Sequence, residues 1–566
     1  MNSIFSKAGR WWWLPVIILL VLLNVLAAWV HKRIDLTNEK RFTISSPVKK
    51  ILSNLDSVVD IDIFLKGELP SGFRKLATST EELLQEFKET AKNKIQYRFI
   101  SAENEMEGTG RTYADTLIAM GAEPINLKVQ IKSGEQSQFI YPTALVHYNG
   151  RTEPVNLYPG TKIIITPGEL NSAEALLEYN FAEAIQRLTQ QVKPMVAYST
   201  GNGEPTGANT YDLAENVLKK DYTLFMININ TLPVIPDTFK LLMIVKPAIT
   251  FSESEKIKID QYIMRGGKVI WCIDRLEAEM DSLRLKNEVI AYDRNLNLED
   301  LLFKYGVRIN PDLLMDLQCD FLPFDVNGSG QFEFLHWNYF PLFQSKSNHP
   351  INKHIGLVAG KFVNTIDTVK AGNIMKTILL SSSPNSKVIS APALISGEEN
   401  RNAPEDRQFK RTDIPAAVLL EGRFNSLYAN RVSTAVMDSM EKYGAPFQTS
   451  CIYPNKMIVI SDGDVVLNGV SQNNPLPMGV NPFTVGSQYQ YQFANKDFIQ
   501  NCLSYLINNS GLSEAKSKDY TLRLLDTKKI NEQRVTWQII NIVLPVLLVL
   551  LFGGAYQFWR KRKYTA

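Results

Sequence analysis

Apolar and polar positions divide the chain into an apolar run near each end and a long mixed middle. From Val535 to Trp559 no residue is charged, and Arg560, Lys561, Arg562 and Lys563 follow directly. Roughly 20 apolar residues cross a hydrocarbon core. The run therefore predicts a transmembrane helix over 535–559, and the basic tail 560–566 reads as its cytoplasmic flank. Trp11 to Val30 is apolar apart from Asn24, and Lys7 and Arg10 precede it, which predicts a second span over 11–30. Val25 and Ala27 loosely fit the cleavage site of a signal peptide, but the bulky Trp11-Trp12-Trp13 start and the length favour an uncleaved anchor.

Between the two runs the periodicity changes repeatedly. Ile44, Val48, Ile51, Leu52 and Leu55 recur at helical spacing, with Ser45 or Ser46 as cap before Pro47. Val58 to Leu65 alternates like a strand, Phe73 to Ala91 is an amphipathic helix, and Ile95 to Ile100 is the next strand. A short helix is expected over Thr112 to Met120, then a hairpin of Ile125–Ile131 with Phe139–Tyr148. This β-α-β-α-β-β order predicts a small thioredoxin-like α/β domain over 36–170, followed by a connecting helix over 171–192.

From Lys193 onward, short apolar runs alternate with helical patterns, as in βαβ units and a parallel sheet. Met195–Ser199, Tyr222–Ile229, Leu241–Val245 and Lys268–Ile273 read as strands, and Leu241–Val245 is apolar throughout, as in a strand buried on both faces. Ser252 caps a helix that ends at Arg265-Gly266-Gly267. Cys319 to Ile355 shows no period and reads as an irregular excursion. Later strands are expected at Ile378–Ser381, Ala416–Leu420 and Met457–Ile460, with a last helix over Lys496–Ile507. The expectation is one large α/β domain with insertions over 193–510, then a stalk over 511–534.

Charge adds an orientation. The two tails hold six basic residues and no acids, leaving His31 to Arg534 with 55 basic and 58 acidic residues. Basic flanks favour the cytoplasm and long loops cross largely regardless of charge. His31, Lys32 and Arg33 argue the other way but are outweighed by the C-terminal cluster. Both termini are thus expected in the cytoplasm and residues 31–534 in the periplasm, with an inner-membrane location. Near-neutral charge gives no footprint for nucleic acid.

Candidate chemistry is sparse. The sequence contains no GxxxxGK[ST], HExxH or GxSxG. Cys272, Cys319, Cys451 and Cys502 are far apart and form no zinc spacing. His147 and His336 read as residues beside strands. Asp462 and Asp464 after a buried strand could hold a cation, although Asp-Gly-Asp is commonly turn chemistry. The turn Ser199, Thr200, Gly201, Asn202, Gly203, Glu204 lies at the carboxyl end of a predicted parallel strand, where such sheets bind ligands. Its N–H groups could face an anion, against which Glu204 argues, so a plain structural turn and a ligand or peptide contact stay side by side. Asn24 lies six residues inward from Val30 and Asn541 six inward from Val535, which sets both amides at similar depth. They could bond each other or a permease, or be tolerated separately.

YSTGNGE at Tyr198–Glu204, RGGKVIWCID at Arg265–Asp274, LLFKYGVRINPDLLMD at Leu301–Asp316, FTISSPVKKILSNLD at Phe42–Asp56 and FIQNCLSYL at Phe498–Leu506 carry a resemblance. In order and spacing they are similar to the gliding-motility-associated ABC-transporter auxiliary proteins of the GldG type. The resemblance implies a subunit working beside a membrane permease and a cytoplasmic ATPase, with a GIFT-like, distantly amidotransferase-like α/β domain. The family usually shows a histidine where this chain has Asn202. Amidotransferase-like enzymes need a Cys at a tight strand–helix turn and a His to activate it, and neither stands at such a turn here. The expectation is therefore a non-catalytic scaffold or binding subunit with no cofactor, in contact with the membrane and able to self-associate. The alternatives are a substrate-capturing protein of that transporter and an unrecognised hydrolase.

Overall fold

The computed structural model describes residues 17–22, 24, 43–106, 110–122, 124–131, 134–158, 165–190, 192–280, 282–283, 288–325, 330–344, 347–353, 355–397, 406–508, 511–517 and 527–564. Most of the expected span 11–30 and part of the stalk lie outside these residues. The chain forms two compact units, 1–518 and 519–566.

The small layer is built on β1 (Val59–Ile63), β2 (Ile95–Phe99), β3 (Ile125–Ile131), β4 (Gly134–Ile140), β5 (Thr143–Tyr148) and β6 (Arg151–Asn156). Its four-stranded sheet runs β2-β1-β5-β6, with β1 parallel to β2 and antiparallel to β5. The expected hairpin is corrected here. β3 pairs with β4, whereas β5 leaves that ladder and joins β1. Tyr141-Pro142 separates the two strands, and proline lacks the N–H that a continuous ladder would need. The Ser71–Thr90 helix buries Phe73, Leu76, Thr80, Leu84 and Phe87, the face its spacing predicts. The Pro167–Thr189 helix starts at a capping box between Thr166 and Glu169 with proline in its first turn. It packs Ala173, Leu177, Phe181, Ile185 and Leu188 into the same core as β1, joined by Leu512 and Ala515. Among the described residues, the last segment before the terminal helix thus returns to the small layer.

The large domain contributes β7 (Met195–Thr200), β8 (Thr223–Asn228), β9 (Phe239–Val245) and β10 (Lys268–Cys272). Short strands follow as β11 (Leu276–Glu277), β12 (Glu288–Asp293), β13 (Val307–Ile309), β14 (Asp312–Asp316), β15 (Cys319–Phe324), β16 (Glu333–Phe343), β17 (Val358–Ala359), β18 (Ile366–Thr368), β19 (Met375–Ser381), β20 (Ser386–Ser390) and β21 (Ala393–Ser396). The chain then returns to the main sheet with β22 (Pro415–Gly422) and β23 (Asn455–Ile460). That seven-stranded sheet runs β19-β22-β23-β10-β9-β7-β8. Its five strands from β23 to β8 are parallel, and β22 and β19 close one side antiparallel. Leu241–Val245 and Val269–Cys272 are fully buried, as their unbroken apolar runs predict. Apolar clusters lie on both faces, one gathering Phe498, Ile499, Cys502 and Leu503, the other Ile259, Tyr262, Ile263 and Trp271.

Two segments differ from the sequence expectation. Cys319–Ile355 is not irregular throughout: β15 and β16 pair antiparallel across a register shift between Cys319 and Phe321. The last seven residues of β16 are all buried, so no alternation marks the strand. Asp212–Leu218, which the pattern from Tyr211 to Leu218 predicts as helical, forms a π-helical turn.

In the second unit the Thr527–Tyr564 helix is continuous through Pro545, and its segment Thr536–Arg562 is long and apolar enough to cross a membrane. Among the described residues it is the one helix that meets this test. Residues 17–22 and Asn24 are helical, and Asn24 Nδ2 donates to the Leu20 carbonyl at 3.2 Å. That amide donor is satisfied within its own helix. Asn541 lies in the 527–564 helix of the other unit.

Candidate functional site

In the main sheet the chain passes from β7 to β8 on one side and then to β9 on the other. The reversal opens a crevice beyond the carboxyl ends of β7 and β9, where doubly wound sheets place ligands. The Ser199–Glu204 turn forms one lip of it. Gly201 has φ +121°, and a Cβ there would stand 2.5 Å from Asn228 Oδ1. Gly203 has φ +81°, and its Cβ would meet Ala248 Cβ at 3.0 Å. Both positions require glycine for conformation and for close approach. The Asn202 carbonyl accepts from the N–H groups of Ala248 and Ile249, each at 2.8 Å, which pins the turn to the segment after β9. Thr200 Oγ1 donates to the Ile227 carbonyl at 3.0 Å, pinning it to β8.

The side chains in this turn face inward. Ser199, Asn202 and Glu204 are buried. Glu204 Oε2 accepts the Asn202 N–H at 2.7 Å, so a carboxylate of the chain takes a donor that an anion would need. Of the N–H groups that could face an anion, the one on Asn202 is thus taken within the chain. Ser199 Oγ, Asn202 Oδ1 and Glu204 Oε1 are sealed from solvent without a hydrogen-bond partner.

Across the crevice stands an ionic cluster that the sequence only partly announced. Lys246, one residue beyond β9, takes φ +46°. Its Nζ lies 2.7 Å from Asp464 Oδ2, 3.2 Å from Glu279 Oε2 and 3.3 Å from Asp274 Oδ2. Asp462 Oδ1 accepts the Asp464 N–H at 2.7 Å, and Asp462 Oδ2 accepts the Lys361 N–H at 2.8 Å. Asp274 Oδ1 accepts the Gly463 N–H at 2.5 Å. A Cβ on Gly463 would stand 2.5 Å from Lys246 Cβ, so the Asp-Gly-Asp turn needs its glycine to admit the lysine.

Burial sets the protonation of these groups. Burial opposes the Lys246 charge, but Asp464, Asp274 and Glu279 outweigh it and hold the ammonium well above its ordinary pKa. Burial pushes Asp274 up to about 6. Burial and the neighbouring carboxylates push Asp462 well up, whereas Lys246 brings Asp464 below the usual range despite its burial. Asp274, Asp462 and Asp464 place ligand atoms within 4.8 Å of one another. Lys246 already sits between two of them, so a metal ion would have to displace an internal cation. The carboxylates expected at Asp462 and Asp464 are thus joined by Asp274, Glu279 and Lys246, which sequence reasoning missed.

The crevice widens into a cleft of about 1080 Å³. Gly203, Lys246 and Asp464 line its floor, while Phe324, Trp337 and Phe483 wall it. Trp337 and Phe324 meet in a tilted ring contact with centroids 5.5 Å apart, and Trp337 Nε1 is buried without an acceptor in the chain. Arg294 NH2 is held by Glu279 Oε1 at 2.8 Å.

The other reactive side chains lie elsewhere. Cys272 ends β10 fully buried, and burial pushes its thiol well up. His147 Nε2 lies 3.5 Å from Asp62 in the small layer, and His336 Nδ1 is 3.1 Å from the Cys319 carbonyl. Both stand on strands, as expected.

A family model described as "ABC-type uncharacterized transport system" matches residues 193–502, more than half of the chain. A second model, "Domain of unknown function (DUF7088)", matches residues 38–147. A protein of Borreliella burgdorferi described as "Uncharacterized protein" is 20% identical over 552 residues, covering 94% of each chain. Among solved structures, the mmIFT52 N-terminal domain overlaps 55% of this chain and 96% of its own, with a TM-score of 0.30 at 12% identity. The exo-beta-1,4-mannosidase Op5Man5 from Opitutaceae bacterium strain TAV5 overlaps 52% of this chain and 34% of its own, with a TM-score of 0.18 at 10% identity. Neither overlap is close enough to carry an argument about this chain.

Proposed function

Because this chain belongs to the ABC-type uncharacterized transport system family, we propose that it is a non-catalytic auxiliary subunit of an ABC transporter complex. It works beside a permease and a cytoplasmic ATPase, and the complex serves gliding motility as GldG-type proteins do. The family match over 193–502 carries this reading. The gliding assignment rests on the ordered motifs from Phe42–Asp56 to Phe498–Leu506. Both termini lie in the cytoplasm and residues 31–534 in the periplasm, anchored in the inner membrane. The apolar segment Thr536–Arg562 and the basic residues at its end support this placement. The non-catalytic part of the reading rests on the sequence, which sets neither a cysteine nor a histidine in the Ser199–Glu204 turn.

Solubilising native membranes and isolating the full chain tests the proposal. The permease and the ATPase should accompany it in fixed ratio. Recovery of the permease and ATPase together without this chain would overturn it. Protease added to spheroplasts should digest the body, and a body left intact there would overturn the placement.

A second reading, capture of the transported substrate, is favoured by one observation, the 1080 Å³ cleft with its aromatic wall. Its size is at the upper end of ligand pockets. Thermal-shift screening of the full chain against periplasmic solutes tests it, and a midpoint that no solute moves would count against it.

A further inference from the structure

The two margins of the seven-stranded sheet are built differently. At one margin, β19 carries Lys376 and loses register with β22 twice, between Ile378 and Leu380 and between Leu380 and Ser381. Gln344 also bridges to its last residue, Ser381. Charge, bulges and cover are the devices that keep an edge strand from pairing with another chain.

The other margin, β8, has none of them. Its sequence, Thr-Leu-Phe-Met-Ile-Asn, contains no charge and no proline. Its inner side is in unbroken register with β7, from Met195 against Thr223 to Thr200 against Asn228. Among the described residues no strand pairs with its outer side. Phe225 and Met226 are adjacent, so their side chains leave opposite faces of the sheet, yet both are exposed, at 42% and 52%. Leu224 and Ile227 pack inward on the two faces, so the exposure is local to Phe225 and Met226 at the middle of the strand. A straight, uncharged, apolar edge is a template for strand pairing.

We infer that β8 pairs antiparallel with β8 of a second copy across a two-fold axis, joining the two sheets into one. The occupant follows from charge. An edge meant for an acidic or basic partner strand would carry the opposite charge, and β8 carries none. It is its own complement. With the axis on Phe225 or on Met226, each opposed pair within the strand is apolar or neutral, so no like charges face each other. Antiparallel pairing also lays the amino end of one β8 against the carboxyl end of the other. Lys219 and Lys220 stand at the amino end, and the carboxyl end continues into the neutral residues Ile229, Asn230 and Thr231. A two-fold contact of one surface with itself is the commonest way soluble chains associate.

Cysteine substitution in the full chain, in native membranes, tests this arrangement. The four native cysteines are all buried, so background cross-linking is low. Met226→Cys and Phe225→Cys should each give a covalent dimer with a short bis-maleimide. Met375→Cys, exposed on the opposite margin, should label equally but stay monomeric. The double variant F225K/M226K should raise the dimer dissociation constant of the detergent-solubilised chain at least tenfold, read by light scattering, with its unfolding midpoint little changed. Should that variant fail to fold, the cysteine arms still decide. A wild-type chain that is monomeric in detergent at every concentration, together with a Met226→Cys variant that forms no cross-link in membranes, would overturn the inference. So would a Met226→Cys variant that joins only a different polypeptide, which would give the edge to a heterologous strand.

Discussion

Lys246 Nζ stands 2.7 Å from Asp464 Oδ2, and 218 residues of chain separate the two. The contact ties the loop after β9 to the loop after β23, with β10 between them in the sheet. Asp274, beyond β10, adds its carboxylate to the same ammonium at 3.3 Å. Three neighbouring parallel strands are thus stapled at their carboxyl ends by one buried cation. A buried charge left without its partner destabilises far more than the intact pair stabilises.

Lys246→Met keeps the side-chain length and removes the charge. Asp464, Asp274 and Glu279 then face one another uncompensated. The expected loss is about 3–5 kcal/mol of stability at neutral pH, shrinking in acid as the carboxylates take up protons. Urea unfolding of the full chain in detergent at pH 7 and pH 5 measures both. An equal loss at the two pH values would show that the lysine acts through packing alone.

Asp274 gives a pH dependence of its own. Its folded pKa is raised to about 6 by burial, so the folded state holds this proton more tightly than the unfolded chain does. The stability from that proton is present below about pH 4 and is lost as the pH rises through about 6. The shift corresponds to roughly 3 kcal/mol. Asp274→Asn, which cannot titrate, should flatten the stability profile between pH 4 and 6 relative to the native chain. Parallel profiles for the two proteins would contradict this assignment.

The cluster also shows where sequence reading stops. β9 and β10 are legible because burial on both faces leaves unbroken apolar runs, and Ser252 is legible as a cap because Glu255 stands three residues on and closes a capping box. The two glycines of the Ser199–Glu204 turn announced a tight turn at a strand end, and the structure places one there. Lys246 gave no signal, since a lone lysine after a strand is ordinary and its partners are distant in sequence. β4 and β5 were fused because Tyr141-Pro142 is a short break inside a long apolar stretch. The far half of β16 was hidden for the reason that made β9 visible: burial on both faces erases alternation, and a run rich in aromatics beside Pro341 does not declare a strand.

Gly201→Ala tests whether the turn is held by geometry. The residue sits at φ +121°, and the added Cβ would press on Asn228 Oδ1 at 2.5 Å. Strain of this kind costs about 1–3 kcal/mol. Adding Asn228→Gly should recover only the part due to the clash, leaving the backbone part. Thermal unfolding of the single and double variants separates the two. Full recovery in the double variant would mean that the backbone conformation carries no cost.

Lys516 presents the opposite case, a buried cation whose partners do not outweigh its burial. It belongs to the Leu512–Ser517 turn, which packs on the small layer ahead of the apolar Thr527–Tyr564 helix. Its Nζ lies 3.8 Å from the centre of the Tyr179 ring and donates to Asn501 Oδ1. Burial lowers its pKa to about 8, with Glu183 and Asp497 opposing that shift and Arg187 adding to it. The unfolded chain keeps this proton up to about pH 10.4. Folding is therefore penalised below pH 8, and the penalty fades as the pH rises from 8 toward 10.4, a change of roughly 3 kcal/mol. Lys516→Met removes the charge and leaves a thioether that packs well on an aromatic ring. Glu183 keeps Arg187 as its counter-ion at 3.5 Å. The variant should be more stable than the native chain at pH 7 by about 1–3 kcal/mol, with the gap closing by pH 10. Urea unfolding at the two pH values reads it directly. A variant less stable at both would mean that the ammonium's contacts with Tyr179 and Asn501 outweigh its desolvation.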